Sequence, residues 1–344
     1  MKKIVLPIAC LMLQLSASAQ LLLGAGSEPT GKEWDQPSIS NVNRETAHTL
    51  AIPMTTPDMV SANDITQSPF YVSLDGTWKF KWVKTPTQAS ATWCTKSYND
   101  SGWDNIDVPS SWQVFGLRNG KDWDKPLYSN TVYPFSYDES TYSIMADRPG
   151  WFTYNNNMPN PVGTYRRTFT VPADWAGRDV YVRFNGVGHG YYLWINGHRV
   201  GYSEDSYLPS EFNITEYLEE GENSIALQVY RFTSGSFLEC QDYWRLTGIQ
   251  RHCFLWSAPK SQIRDYFFTT DLDASYTNAK ASVQVWLQGQ EAVDGGTLEV
   301  EVKDGGTPIA SQSLDVTSQL STVNSPLPAL VCGVPKSQIS TTSC

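Results

Sequence analysis

Two short stretches concentrate groups that could do chemistry. The first, residues 201–212, reads GYSEDSYLPSEF and sets the adjacent acids Glu204 and Asp205 among Tyr202, Tyr207 and Phe212. The second carries another acid pair, Glu239 and Asp242. Paired acids suggest cleavage of a glycosidic bond, where a retaining mechanism holds two carboxyl groups about 5–5.5 Å apart across a sugar ring. Sequence neighbours seldom achieve that, because adjacent residues on a strand point to opposite faces. Neither pair is therefore read as a catalytic dyad. A single carboxylate that accepts hydrogen bonds from hydroxyls suits the residues better, since ionised acceptors make the stronger bonds. Two readings of 201–212 stand: a solvated loop, or one wall of a pocket for a ligand rich in hydroxyls.

Other chemistries find little support. There is no nucleophile elbow, phosphate-binding loop, dinucleotide fingerprint or paired-histidine zinc motif. His48, His189, His198 and His252 are scattered. Beyond the first 20 residues the cysteines are Cys94, Cys240, Cys253, Cys332 and Cys344, an odd number with no C-x-x-C spacing, so neither a disulfide framework nor a zinc site is indicated. The formal net charge of -10, with no block of Lys or Arg, argues against nucleic acid as a partner.

The elements that must position these residues are strands. The 344 residues suggest two or three domains, and 40% hydrophobic content is ample for real cores. Twelve of the 13 tryptophans fall between Trp34 and Trp256. Such rings stack on sugar faces, although most belong in a core. Residues 74–82 alternate after a turn at Asp75-Gly76, and 106–109 is a short extended piece. Between 163 and 257 further strands follow: 164–171, 180–184, 193–195 and 198–200 around Asn196-Gly197, then 225–229 and 249–256. Asn-Gly between two such runs is the strongest short-range hairpin signal. A short turn of helix is expected at 215–218, capped by Thr215. Many short strands without a long amphipathic helix predict an all-β chain built from a sandwich or jelly roll.

The ends differ from the middle. Residues 1–19 have a basic start at Lys2 and Lys3, an apolar run from Ile4 to Leu15 and an Ala17-Ser18-Ala19 cleavage site. This predicts a signal peptide, a periplasmic or secreted protein, and no permanent membrane span. Removing the two lysines takes the net charge to -12. Residues 20–69 read as an irregular N-terminal segment. Residues 259–324 carry three or four strands, at 263–269, 281–287 and 298–302, with a turn at 304–306, fewer than the roughly seven of an immunoglobulin-like sandwich. Such a unit would leave an open edge and exposed apolar surface. In 325–344 the alternation stops.

Five motifs, in order and at matching spacing, resemble the N-terminal part of the bacterial β-galactosidases of glycoside hydrolase family 2: 74–80 (LDGTWKF), 108–113 (VPSSWQ), 128–134 (YSNTVYP), 201–212, and 241–251 (QDYWRLTGIQR). The resemblance covers about residues 30–324. It implies a sugar-binding jelly-roll domain at 70–258, then a partial immunoglobulin-like domain at 259–324. A catalytic TIM barrel carrying both glutamates would lie outside this chain. It implies that Asp205 contacts galactose and a sodium ion, and that Asn130 lines the same pocket. No catalytic residue is assigned within the chain, and the family's magnesium ligands fall outside it. Trp244 and Arg245 resemble a structural motif, and Glu204, Tyr207 and Glu211 are expected to shape the loop.

The implied function is that of the N-terminal fragment of a secreted, retaining β-galactosidase acting on terminal β-D-galactosides, inactive as it stands. The alternative is a non-catalytic carbohydrate-binding or interaction module, since this half of family members also contributes to homo-oligomer contacts. One choice of codons for Ser337 to Cys344, read after dropping two bases, encodes a segment similar to the family's continuation. The tail 325–344 is accordingly expected to be out of frame.

Overall fold

The computed structural model describes residues 30–86, 92–129, 160–239, 242–276, 278–289, 296–304, 307–327 and 337–340. They fall into two compact units. The first draws on Met1–Glu45, Ser73–Val171 and Val182–Phe254, the second on Thr46–Val72, Pro172–Tyr181 and Leu255–Cys344. The chain is all-β, with strands in several antiparallel sheets and, among the described residues, three short α-helices, α1 (Pro57–Ala62), α2 (Trp112–Arg118) and α3 (Ser236–Glu239).

The strands up to residue 258 are β1 (Asn41–Val42), β2 (Tyr71–Ser73), β3 (Gly76–Val83), β4 (Asp104–Val108), β5 (Tyr128–Ser129), β6 (Val162–Thr170), β7 (Asp179–Phe184), β8 (Val187–Gly188), β9 (Gly190–Ile195), β10 (His198–Ser203), β11 (Ser210–Asn213), β12 (Glu222–Tyr230), β13 (Tyr243–Trp244), β14 (Gly248–Ile249) and β15 (Cys253–Ala258). A seven-stranded sheet runs β1-β10-β9-β12-β6-β3-β4, antiparallel throughout. A four-stranded sheet runs β11-β7-β15-β2, and two short ribbons pair β5 with β13 and β8 with β14.

Local chemistry explains the joints. Asn196 and Gly197, at φ of 51° and 88°, link β9 to β10, the positive-φ pair that this tight turn requires. The short turn of helix at Thr215–Tyr217 is real, but Thr215 is not its cap: Asn213 Oδ1 accepts from Thr215 N (3.0 Å) and Oγ1 (2.6 Å). The Asn213 side chain, two residues upstream, closes this turn on its own following backbone. Ser111 caps α2 by accepting from Val114 N at 3.4 Å.

The rings in the first unit are mostly core. Trp93, Tyr192, Trp194, Tyr202 and Tyr230 pack with Val42, Val162 and Ala226, and Trp34 stacks on Tyr230 at 5.2 Å. Phe80 lies 4.8 Å from Tyr165 and 4.6 Å from Trp123, ring centre to ring centre. At Gly163 a Cβ would sit 2.6 Å from Trp112 Cζ3 and 2.8 Å from Phe80 Cε2, so the packed rings exclude any larger residue.

The second unit ends in β16 (Gln262–Leu272), β17 (Ala279–Gln288), β18 (Thr297–Asp304), β19 (Thr307–Asp315), β20 (Leu320–Leu327) and β21 (Ser337–Ser340). Two three-stranded sheets, β16-β17-β20 and β19-β18-β21, enclose Val283, Val285, Leu287, Leu298, Val300 and Val316. The expectation of three or four strands at 259–324 is corrected to five among the described residues, β16 to β20, and β21 lies in the 325–344 tail. Residues 307–315 (TPIASQSLD) dilute their alternation with small and polar side chains, yet they pair antiparallel with β18 along its length, with one register shift at Ile309. Residues 325–327 extend β20 against Ala279–Ala281, and 337–340 pair with β18. Backbone hydrogen bonding, which is indifferent to side-chain pattern, makes these strands.

Candidate functional site

The 201–212 stretch leaves the seven-stranded sheet at Ser203, the end of β10, and becomes a strand again at Ser210, the start of β11. Its two acids part company. Glu204 turns inward and is 6% exposed, while the Asp205 side chain is 47% exposed. Asp205 sits at φ +86°, a conformation disfavoured for residues with a Cβ and tolerated best by Asp and Asn. Leu208 N donates to Asp205 O at 3.2 Å and closes the turn. Glu204 N is tied to Ser40 O at 2.8 Å. Arg44 donates to Ser203 Oγ (3.1 Å) and to the Glu204 carbonyl (3.0 Å), and its Nη1 lies 3.9 Å from Asp205 Oδ2.

Beneath the loop, Glu204 accepts from Tyr202 Oη (2.5 Å), Ser234 Oγ (2.9 Å) and Gly235 N (2.9 Å). Burial pushes its carboxyl up to about 7, with those hydrogen bonds opposing and the Glu239 charge adding. Glu239, at the end of α3, accepts from Ser206 N (3.1 Å) and Ser206 Oγ, and lies 3.4 Å from His189 Nδ1. Burial raises its carboxyl, but His189 and Ser206 outweigh that and hold it below the usual carboxylate range. Asp205 is shifted upward, by burial first; Arg44 opposes this and Glu239 adds to it.

The sequence motifs converge here. The 108–113 and 241–251 motifs lock together: Trp112 N donates to Thr247 O (2.9 Å), Thr247 N to Gln113 Oε1 (2.8 Å), and Gln113 Nε2 to Thr247 Oγ1 (3.2 Å). The 128–134 motif meets the same segment through the β5–β13 pairing, and Tyr128 Oη donates to Asp242 Oδ1. Tyr207 lies 5.2 Å from Tyr243, ring to ring, joining the 201–212 loop to that ribbon. Tyr128, Tyr243 and Trp244 are about half exposed beside the loop, while Arg245 is buried. Asn130 lies outside the described residues. Glu211 is buried and pairs with Arg183 at 3.2 Å, a structural bond as expected for a loop-shaping residue.

Neither sequence-adjacent acid pair forms a dyad. Glu204 faces a closed cage and Asp205 faces out; Glu239 is bonded to Ser206 while Asp242 holds Tyr128. Arg44, His189, Ser206 and Ser234 carry the site's supports and escaped sequence reading. Ser206 and Glu239 are 33 residues apart, and no short motif joins them.

A cation at Asp205 is chemically possible on one side only. The half-exposed carboxylate is a hard oxygen donor. No group of three or more His, Cys, Asp or Glu placed to hold a metal occurs among the described residues. Asp205 can therefore supply one ligand of a cation site, not a complete set. A magnesium site finds no donor set of that kind among these residues, and no step is drawn through it.

Residues 71–259, more than half of the chain, match the sugar-binding domain of glycosyl hydrolases family 2. With the all-β fold, this makes the chain a member of that family. It is 40% identical over 271 residues to a β-galactosidase of Priestia megaterium, covering 78% of this chain and 25% of that protein. Against a β-galactosidase of Photobacterium profundum the identity is 35% over 288 residues, 82% of this chain and 25% of that protein. The chain thus spans about a quarter of the length of the curated relatives it matches. Among solved structures, a β-glycosidase from Bacteroides vulgatus superposes with a TM-score of 0.54 at 19% identity, over 80% of this chain and 33% of that one. A Bifidobacterium dentium β-glucuronidase complexed with coumarin-3-O-glucuronide gives 0.54 at 17%, over 80% and 49%. These likenesses speak to the fold.

Proposed function

We propose that this chain is the N-terminal part of a secreted β-galactosidase that hydrolyses terminal β-D-galactosides, and that its own contribution is one wall of the galactose pocket. The observation that carries the reading is Asp205, an acid at φ +86° whose carboxylate stays half exposed while the flanking residues are tied down. A carboxylate so held accepts hydrogen bonds from sugar hydroxyls without reorganising. Asn130, in the adjoining motif, would add an amide to the same wall. A sodium ion bound through Asp205 would supply a fixed positive charge to orient a sugar hydroxyl. The remaining side chains of the site hold the loop and touch no substrate. Galactosides are preferred over glucuronides as substrate because the relatives at 35–40% identity are β-galactosidases. The jelly-roll topology at 70–258 and secretion through residues 1–19 belong to the same proposal. So does an out-of-frame origin for 325–344.

The test is to sequence the gene beyond codon 344 and to express whatever continuation either frame encodes. The expected product has a length close to that of the relatives and releases nitrophenol from nitrophenyl β-D-galactoside. Asp205→Asn in that protein should raise KM and lower kcat. No continuation in any frame, or a continuation that cleaves glucuronides but not galactosides, would overturn the proposal.

A further inference from the structure

Asp205 is poorly held by its own contacts. Its ion contact with Arg44 is 3.9 Å long and its backbone lies in the left-handed region. A conformation of that kind persists only where the surroundings over-determine it. The surroundings are two carboxylates, Glu204 buried and Glu239 partly buried, that act in opposite directions along the chain. Glu204, from the loop, takes Ser234 Oγ and Gly235 N of the 233–239 segment. Glu239, from that segment, takes both Ser206 N and Ser206 Oγ of the loop. The residues on either side of Asp205 are thus each bonded to the same short segment, once as acceptor and once as donor.

The segment itself is closed on its own backbone, with Ser236 N donating to Thr233 O (3.0 Å), Glu239 N to Gly235 O (3.0 Å) and Thr233 N to Ser236 Oγ (3.0 Å). Gly235 stands between the two acids. A Cβ there would lie 2.8 Å from Glu204 Oε2 and 3.5 Å from Glu239 Oε1, so a larger residue would push the Glu204 carboxylate aside. Ser206 Oγ also meets His189 Nδ1 at 3.0 Å. Serine, histidine and glutamate together invite comparison with a nucleophilic triad. The geometry refuses it: the serine and the glutamate meet the same ring nitrogen, and Ser206 is 1% exposed.

We infer that Glu204 and Glu239 are positioning residues that clamp the loop from both sides and so hold Asp205 at the sugar-facing geometry. The inference rests on the proposed role of Asp205, and its test separates the two. In the full chain, amide hydrogen exchange at Ser206 is measured by NMR in wild type, Glu239→Ala, Glu239→Gln and Asp205→Asn. Losing a charge-assisted bond predicts exchange at Ser206 faster by about tenfold or more in Glu239→Ala, with β9 and β12 unchanged. Glu239→Gln keeps one carbonyl acceptor and should fall between. Ser206→Ala, which removes only a hydroxyl, is the milder second variant and should loosen the loop in the same direction. Asp205→Asn should leave the exchange as in wild type. In parallel, saturation-transfer NMR with methyl β-D-galactoside should show weaker binding in Glu239→Ala and in Asp205→Asn.

Ser206 exchange within about twofold of wild type in Glu239→Ala, or a rise shared equally by β12, would overturn the clamp, because only global stability would then have changed. If Asp205→Asn alters no galactoside signal while Ser206 exchange responds as expected, the sugar reading falls and the clamp on the loop stands.

Discussion

Replacing Asp124 by asparagine strands a buried guanidinium. Asp124 meets Arg231 Nη1 through both carboxylate oxygens at 2.6 Å, with the two side chains 14% and 8% exposed. Burial pulls the Arg231 pKa down and Asp124 pulls it back, so the charge is retained by its partner. Arg231 Nη2 reaches the carbonyls of Lys125 (3.4 Å) and Arg245 (3.5 Å), and Arg245 N donates to Leu127 O (2.7 Å). The pair thus anchors the approach to β5 and β13. Breaking a buried ion pair by removing one partner costs about 3–5 kcal/mol, and asparagine retains one acceptor, so the lower end, about 3 kcal/mol, is expected. With a urea m-value of about 2–3 kcal/mol/M, the midpoint should drop by about 1–1.5 M. Urea unfolding followed by tryptophan fluorescence reads this directly. The double replacement Asp124→Leu with Arg231→Met, which removes both charges, should be less damaging than Asp124→Asn alone. A midpoint shift below about 0.3 M for Asp124→Asn, at unchanged m, would refute the account.

Three further outcomes follow from the same structure. Glu33 is 1% exposed and accepts from Thr30 N (2.6 Å), Thr30 Oγ1 (2.8 Å), Gly31 N (2.9 Å), Lys32 N (3.0 Å) and Tyr192 Oη (2.9 Å). Burial raises its carboxyl, but the bonds from Thr30 and the other donors bring it below the ordinary value of 4.5. Its stabilisation is therefore present above pH 4.5 and lost as pH falls through the folded-state value, so Glu33→Gln should flatten the acid limb of a melting-temperature profile. Gly201→Ala would place a Cβ 2.4 Å from Phe212 Cε1 and 2.7 Å from Val42 O. Overpacking of about 2 kcal/mol should lower the calorimetric melting temperature by about 4–8 °C. Trp112→Ala, at a fully buried ring, should cost about 3–5 kcal/mol, whereas Trp244→Ala, at a half-exposed one, should stay within about 0.5 kcal/mol in the same urea assay.

Where alternation is strong, the strands could be read directly. Residues 164–170 and 225–229 alternate and pair in register, and Asn196-Gly197 announces its hairpin. The later strands were harder. Thr307–Asp315 and Ser337–Ser340 are polar enough that backbone pairing, not pattern, defines them. At the site, the motif around Asp205 was legible because its residues are contiguous. Its supports were not: Arg44 is some 160 positions from the carbonyl it holds, and Ser206 meets an acid 33 residues on. Contacts at that range depend on which sheet edges meet, and no local spacing encodes them.

The Asn196-Gly197 turn also bears on chemical ageing. An asparagine followed by glycine is the pair most prone to deamidate, because the glycine nitrogen can attack the side-chain amide with little hindrance. Here that amide is engaged at both ends. Asn196 Nδ2 donates to Tyr217 O (2.9 Å) and Asn223 Oδ1 (2.7 Å), and Asn196 Oδ1 accepts from Ser224 N (2.8 Å). Ring closure to the succinimide would have to break all three bonds at a hairpin that anchors the seven-stranded sheet. Isoaspartate at position 196 should therefore accumulate only in molecules that have opened, so peptide mapping of stored protein would record how long each preparation had spent unfolded.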